Sequence, residues 1–501
     1  MAFILELVLV LASLLGWWFV QDKKNHKKYP PGPLRLPILG NILQIAAQSP
    51  FPSTAFLNLS KKYGEVMYLK MGMVSAVTFN SPQSVHEILN HDKAVERTRT
   101  MLPMIEARMY AQNLGIIFSS SEPWQKMRRF TIRTLRDFGF GKAASMDVVI
   151  GEELDKFTDH LKNLMKKDGV VEVHGLFDLT LVNVLWRLVT GVNYAMDDER
   201  ILELLKLSNE MIQNTKFSFD SSATFPFLWH LFPSWSGKNL QMKIIKALHK
   251  YCRDTAEYNR KHCDYKNNPQ CYVDVFLQKI DETANDPETE YTDDQLVLCL
   301  LDLFQAGAET SSKTMSFAML YMLTHQDIQQ KVQKELDEVV GKGKEVTMEE
   351  KGRLPYTQAA VLECLRYSVV LPFPPARQAS DDFYFHDYFI KKGTVIMPNL
   401  EAVHFDEALW GDPRNFRPER FLKKDMTIDS KLASNLVQFG GGKRVCLGQN
   451  LAESTVFLYF ANILSKFQLV KVAGDPEPTT VPEQGITYSP QPFRVLFKSR
   501  A

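Results

Sequence analysis

Paired cysteines are missing from this chain. Six cysteines are spread over 501 residues, at 252, 263, 271, 299, 364 and 446, and none stands in a CxxC or a paired zinc spacing. That excludes a disulfide-stapled secreted scaffold and a zinc or iron–sulfur centre built from several cysteines; a reducing compartment is the simplest reading. A surplus of either charge is missing as well, since Lys+Arg 59 against Asp+Glu 58 leaves a net +1. No bulk basic surface points to nucleic acid, so electrostatic docking has to be local. Internal repeats and low-complexity tracts are absent too, which excludes solenoids and arrays.

What is present is an ordinary globular composition, 45% hydrophobic and 23% charged, with ample apolar material for a core. Length alone argues for about three domains. Beyond the proline-rich segment near the start, however, the one linker-like patch is 281–289, too weak to divide the chain. One large body is therefore expected, and such a size is best tolerated when a cofactor fills its centre. Strand signals are few: 65–71 turning at Gly72 into 74–79, then 383–390, 394–397 and 493–497. Helical periodicity dominates the rest. Thr292 and Gln295 have capping-box spacing before a pattern that runs to about residue 324, a helix of roughly 45–50 Å that must cross the protein. The fold class expected is mainly α with a small β region.

The chain begins with the one long uninterrupted apolar run. Residues 2–20 read AFILELVLVLASLLGWWFV, with Glu6 the single charge and Trp17 and Trp18 at one end; this is near the minimum length for a bilayer-spanning helix. Lys23, Lys24, Lys27 and Lys28 follow at once, which places the rest of the chain in the cytosol by the positive-inside rule. A cleaved signal peptide is the alternative, but bulky Trp17, Trp18, Phe19 and Val20 occupy the place of a small-residue cleavage site. Pro30, Pro31, Pro33 and Pro37 then read as a semi-rigid spacer. The expected organisation is an anchor over 1–22, a basic and proline-rich hinge over 23–50, and a catalytic body over 51–501.

The chemistry concentrates at 439–448, Phe439-Gly440-Gly441-Gly442-Lys443-Arg444-Val445-Cys446-Leu447-Gly448. Arg444 stands where a phosphate-binding loop would need Ser or Thr, so a nucleotide cradle is excluded. Glycines let backbone approach a flat object, Cys446 offers a soft ligand, and Arg444 offers a cation to a carboxylate. A lone cysteine is wrong for zinc and right for haem iron held by a single thiolate.

This stretch resembles the haem-binding loop of the cytochrome P-450 superfamily, and further matches follow along the chain. Glu363 and Arg366 stand in the ExxR spacing of that family; Arg420, in Pro418-Glu419-Arg420-Phe421, matches the arginine that joins the pair. ExxR alone would be an ordinary surface ion pair, but three motifs in family order imply a structural lock behind the cysteine loop. Ala306-Gly307-Ala308-Glu309-Thr310, in the middle of the long helix, resembles the oxygen-activating motif. It implies an alcohol–acid pair, Thr310 and Glu309, that relays protons. Trp124 and Arg128 reproduce WxxxR, which implies a contact to a haem propionate, and Arg377 and Arg99 are further propionate candidates. Phe439 and Gly440 complete the implied cofactor-binding set with Arg444 and Cys446, the metal ligand.

The resemblance covers the chain after the anchor, and residues 124–142 look closest to the family 2 microsomal group. Two departures stand out: Gln326 where a proline is usual, and Ser454-Thr455 in place of Met-Glu, the latter similar to arthropod members. What the family implies is a membrane-anchored haem-thiolate monooxygenase carrying haem b. It would insert one oxygen atom of dioxygen into a lipophilic substrate by hydroxylation or epoxidation. Electrons would come from NADPH through a flavoprotein reductase, with cytochrome b5 as a second donor. The setting would be the endoplasmic reticulum membrane, with the body on the cytosolic side and no nucleic acid as partner. Ile117, Phe118, Phe304, Ala306, Phe373 and Ile486 are the substrate-contact candidates, with ordinary core packing as the competing reading for each. The aromatic run 225–233 is a candidate lid that dips into the bilayer. Lys126, Arg129, Arg133 and Arg136 fall on the helix face opposite Trp124 and Arg128 and are candidates to receive an acidic electron donor. A haem-thiolate isomerase or dehydratase needing no external electrons, and a non-catalytic haem sensor, are the rival classes.

Overall fold

The structure, a computed structural model, describes residues 29–98, 103–110, 112–141, 143–214 and 224–500. The expected anchor over 1–22 lies outside the described residues. Among those that are described, no helix is long and apolar enough to cross a membrane. From residue 29 on, the proline-rich segment lies against the body: Tyr68 N donates to Pro31 O at 2.9 Å and Asn41 N to Lys70 O at 2.6 Å.

The body is mainly helical. The helices that bear on the site are α1 (Pro82–Asn90), α2 (Ser121–Asp137), α3 (Asp178–Thr190), α4 (Glu199–Asn214), α5 (Asp293–Thr324), α6 (Pro355–Ser368) and α7 (Gln449–Lys466). Helix α5 is the axis, packed against α3, α6 and α7. Residues 296–304 and 315–323 are buried on every side, which a helix hydrophobic all round requires. At its start Thr292 Oγ1 accepts from Gln295 N at 3.1 Å. The reciprocal half of the expected capping box is not made, because the Gln295 side chain instead accepts from Gly115 N at 3.2 Å. At the far end, Gln326 Nε2 donates to Met322 O, Leu323 O and Leu469 O at 3.0–3.1 Å. A glutamine in place of the usual proline thus satisfies carbonyls that the end of α5 leaves open.

Ten strands run among the described residues: β1 (Val66–Met71), β2 (Val74–Phe79), β3 (Glu96–Arg97), β4 (Val170–Glu172), β5 (Arg377–Gln378), β6 (Phe383–Phe385), β7 (Tyr388–Ile390), β8 (Val395–Pro398), β9 (Phe467–Val470) and β10 (Arg494–Ser499). The main sheet has the order β1-β2-β8-β5-β3, and β4-β10-β9 form a second. Antiparallel β1 and β2 turn at Gly72, whose φ of 59° suits a residue without a side chain. β8 lies parallel to β2, with Ala76 opposite Val395. The segment 383–390, expected as one strand, is a hairpin: β6 and β7 pair antiparallel and the chain reverses at His386, whose φ is 50°. β3, β4, β5 and β9 are two to four residues long, too short for alternation to announce them.

Candidate functional site

The Cys446 loop is folded on itself and on α1. Cys446 N donates to Phe439 O at 2.8 Å and Val445 N to Gly442 O at 3.1 Å. Sequence alone assigns all three glycines to a flat ligand, and the geometry reassigns two. A Cβ on Gly442 would stand 2.3 Å from Leu89 O, and one on Gly441 3.2 Å from Leu89 Cβ. Both therefore serve the close approach of α1. Gly440, at a φ of 71°, has open space where a side chain would be. Cys446 itself is exposed, although burial is what raises its thiol pKa. That combination belongs to a group lining an internal cleft rather than the outer surface.

Four arginines converge behind this loop. Arg444 donates to Val95 O at 2.9 Å and Ser119 O at 2.7 Å, and Arg377 to Leu89 O at 2.7 Å and Gly441 O at 2.8 Å. Arg128 donates to Val445 O at 2.6 Å. The fourth, Arg97, donates to Ile117 O at 3.0 Å and to Pro375 O. Burial, then the repulsion of Arg444, Arg377 and Arg128, lowers the Arg97 pKa. Burial holds Arg377 near about 10 and Arg444 near about 9, with Glu96 opposing the Arg444 shift and Arg377 and Arg128 adding to it. Among the described residues no ion pair to a carboxylate forms at any of the four, and Arg377 Nε and Trp124 Nε1 are buried without a partner.

Mutually repelling cations whose hydrogen bonds, among the described residues, go to carbonyls fit an anion of more than one charge. The two carboxylates of a haem fit it, and a lone thiolate fits its iron. No group of three or more His, Cys, Asp or Glu side chains that could hold a metal occurs among the described residues. Arg97 is not legible from the motifs; its one signal is the neighbouring Arg99, which itself lies outside the described residues.

The lock candidates meet in the interior. Glu363 accepts from Arg366 Nε at 2.8 Å and Nη2 at 2.7 Å, and from Arg420 Nε at 3.1 Å. Both Glu363 and Arg366 are fully buried. Arg366 also donates to His404 O at 2.6 Å, and His404 Nε2 accepts from Val437 N at 3.2 Å, two residues before Phe439. The network is thus tied to the start of the cysteine loop.

Midway along α5, between its buried stretches, Ala306 is exposed and Gln305, Gly307, Thr310 and Ser311 are half-buried. Thr310 Oγ1 donates to Ala306 O at 2.9 Å. Gly307 is a glycine because α3 presses on it: a Cβ there would lie 2.5 Å from Leu185 Cδ2. Glu309 is buried and its carboxyl is raised to about 7, burial outweighing Lys313. Lys313 is a further member that no motif announces; its signal is a charge at i+4 from Glu309 in an apolar run.

Of the substrate-contact candidates, Phe118, Phe373 and Ile486 line one apolar cavity with Ile105 and Pro374. Ile117 stands beside it, its N donating to Asp302 Oδ2 at 2.9 Å. Phe304 does not face open space: it is buried, edge-on to Trp186 at 5.2 Å between ring centroids. In the aromatic run, Phe227, Leu231 and Phe232 are exposed while Trp229 is buried.

The cytochrome P450 family profile matches residues 30–497. Farnesoate epoxidase of Bombyx mori is 32% identical over 496 residues, 98% of each chain. Cytochrome P450 2C8 of Homo sapiens is 32% identical over 494 residues, again 98% of each, and cytochrome P450 2B4 of Oryctolagus cuniculus is 30% identical over 501 residues, 99% of each.

Proposed function

Because the chain belongs to the cytochrome P450 family, and is thereby an oxidoreductase that incorporates oxygen, we propose that it is a microsomal-type monooxygenase of lipophilic substrates with haem b held by Cys446. The observation that carries the reading is the arginine cluster without a carboxylate ion pair among the described residues, set against the exposed Cys446. Haem held by one thiolate supplies cleavage of the O–O bond of dioxygen when bound.

The chain's own residues do the rest. Arg97, Arg128, Arg377 and Arg444 would hold the two carboxylates of the haem, with Trp124 Nε1 as an additional donor. Glu363, Arg366 and Arg420 fix the segment that leads into the cysteine loop. On α5, the Thr310 hydroxyl and the Glu309 carboxyl would hold and pass on protons. Phe118, Phe373 and Ile486 take up an apolar substrate and exclude water from it. The farnesoate epoxidase relative supports a C=C bond as one point of attack, and C–H hydroxylation stands beside it. Electrons come from an NADPH-dependent reductase docking on the exposed stripe Lys126, Arg129, Arg133 and Arg136, and residues 1–22 anchor the body to the endoplasmic reticulum.

Two measurements test this. The reduced carbon monoxide complex of the holoprotein should show the strongly red-shifted Soret band of thiolate ligation. Cys446→Ser should lose that band and Cys364→Ala should keep it; a band that survives Cys446→Ser means that another residue holds the iron. Under isotopically labelled dioxygen with reductase and NADPH, product should carry one labelled oxygen atom. Unlabelled product formed without reductase would favour the isomerase class.

A further inference from the structure

Helix α5 carries one lysine, Lys313, a turn beyond Glu309, and only 9% of its side chain is exposed against 2% for Glu309. Lys313 Nζ donates to Glu309 Oε2 at 3.0 Å and to Thr487 Oγ1 at 2.7 Å. Thr487 Oγ1 in turn donates to the same Oε2 at 3.2 Å. Both donors therefore act on one oxygen of the carboxylate, while Oε1 is buried without a partner. A buried ion pair of this kind is no more stabilising than apolar side chains of equal volume, so stability alone does not account for a lysine here.

Its surroundings do. Lys313 lines a polar pocket together with Asp178, Asn209, Gln213, Ser312 and Ser316, between α3, α4, α5 and the C-terminal segment. Within it Asp178 accepts from Asn209 Nδ2 at 2.8 Å and from Ser312 Oγ. Neither Glu309 nor Thr487 lines that pocket. Lys313 thus stands between a buried acid on one side and a polar, hydrogen-bonded opening on the other.

We propose that Lys313 is a positioning residue for proton supply: with Thr487 it holds the Glu309 carboxylate toward this pocket, so that protons reach Glu309 from there and not past the Cys446 loop. The proposal rests on the reading of Glu309 as a proton donor given above. Each proton that Glu309 passes on is replaced by one from solvent in the pocket, so the carboxyl ends as it began. The charged groups facing Glu309 are Lys313 from its own helix and Asp178 from α3; Thr487, from the C-terminal segment, is neutral. Burial raises the carboxyl to about 7, Lys313 opposes that rise, and Asp178 adds to it. A carboxyl poised there can both take up and release a proton at neutral pH.

The test is an infrared titration of the holoprotein, read beside the peroxide formed per NADPH consumed. The carboxylic-acid band that Glu309→Gln removes is assigned to Glu309. Lys313→Met should move its midpoint up by about one to three pH units, the usual effect of an adjacent opposite charge. Thr487→Val removes only one hydroxyl, so it keeps the test open where Lys313→Met does not fold, and should move the midpoint the same way by less. Each should also raise the peroxide yield above pH 7 severalfold. A Glu309 band whose midpoint stays put in Lys313→Met and Thr487→Val overturns the role of Lys313 and leaves Glu309 as donor. Unchanged peroxide in Glu309→Gln overturns the donor reading itself, and this inference with it.

Discussion

The Arg444 guanidinium lies 3.5 Å from the ring centroid of Trp124. Cation and indole fix one another on α2, which also carries Arg128, so the orientation of the donors is set before any ligand arrives. Trp124→Phe should preserve this stacking and remove only the Nε1 donor; Trp124→Ala should remove both. Haem loss to an excess of apomyoglobin is therefore expected to rise modestly in the first variant and by about 5- to 30-fold in the second, for a stacking contact of about 1–2 kcal/mol.

Arg97 provides a sharper check of what the cluster holds. Its repulsion with Arg444, Arg377 and Arg128 is relieved only by negative charge. Haem dimethyl ester, which lacks the two carboxylates, should bind the wild-type apoprotein more weakly than haem. Arg97→Gln should narrow that gap from the haem side. An equal gap in wild type and variant would leave Arg97 as a brace for the Ile117 and Pro375 carbonyls alone.

The Glu363 carboxylate takes Arg366 and Arg420 together in a fully buried setting. Glu363→Gln leaves buried Arg366 without its carboxylate and Arg420 with Asp412 alone, and breaking a buried pair costs about 3–5 kcal/mol. Loss of soluble holoprotein, or a matching fall in the urea midpoint, is the expected result. A variant that folds and retains haem like wild type would reduce the triad to packing.

The motifs made the candidate residues legible because each depends on residue type at short range: a cysteine among glycines, Glu and Arg one turn apart, Trp and Arg four apart. What escaped depends on contacts between distant segments. Gly441 and Gly442 answer to Leu89, Gly307 to Leu185, and Lys313 to Thr487, none of which has a local signature. Phe304 lies beside the oxygen motif in sequence, yet the helical turn directs it at Trp186. The long helix was readable from its cap and continuous apolar run, whereas two-residue strands such as β3 exist only through their partners.

On α2, Lys126, Arg129, Arg133 and Arg136 are all exposed while Trp124, Met127, Thr131 and Leu135 are buried. Reversing Arg129 and Arg133 to Glu should slow reductase-supported turnover and leave substrate affinity nearly unchanged. Peroxide-driven turnover, which needs no reductase, should be spared. Rising salt should weaken the wild-type reaction, since exposed charges are screened over about 10 Å or less. Equal losses from both electron sources would assign the stripe to the fold rather than to a partner.

His404 gives the lock a pH dependence. Burial, then the neighbouring Arg366 cation, pulls its pKa from 6.5 down to about 3, and its Nε2 must stay unprotonated to accept from Val437 N. Above pH 6.5 the imidazole is neutral both folded and unfolded and stability is unaffected. Below it the unfolded chain takes up a proton that the folded chain refuses, so stability falls as pH drops toward 3. The slope is about 1.4 kcal/mol per pH unit for one proton. His249, which burial and then Arg108 lower to about 4, acts in the same direction. The urea midpoint should therefore drop between pH 7.5 and pH 5.5. His404→Gln, which can still accept from Val437 N, should remove part of that drop and leave the share of His249. An unchanged drop would mean that His404 is protonated in the folded protein, and that the link from Arg366 through His404 to the cysteine loop is not made as described.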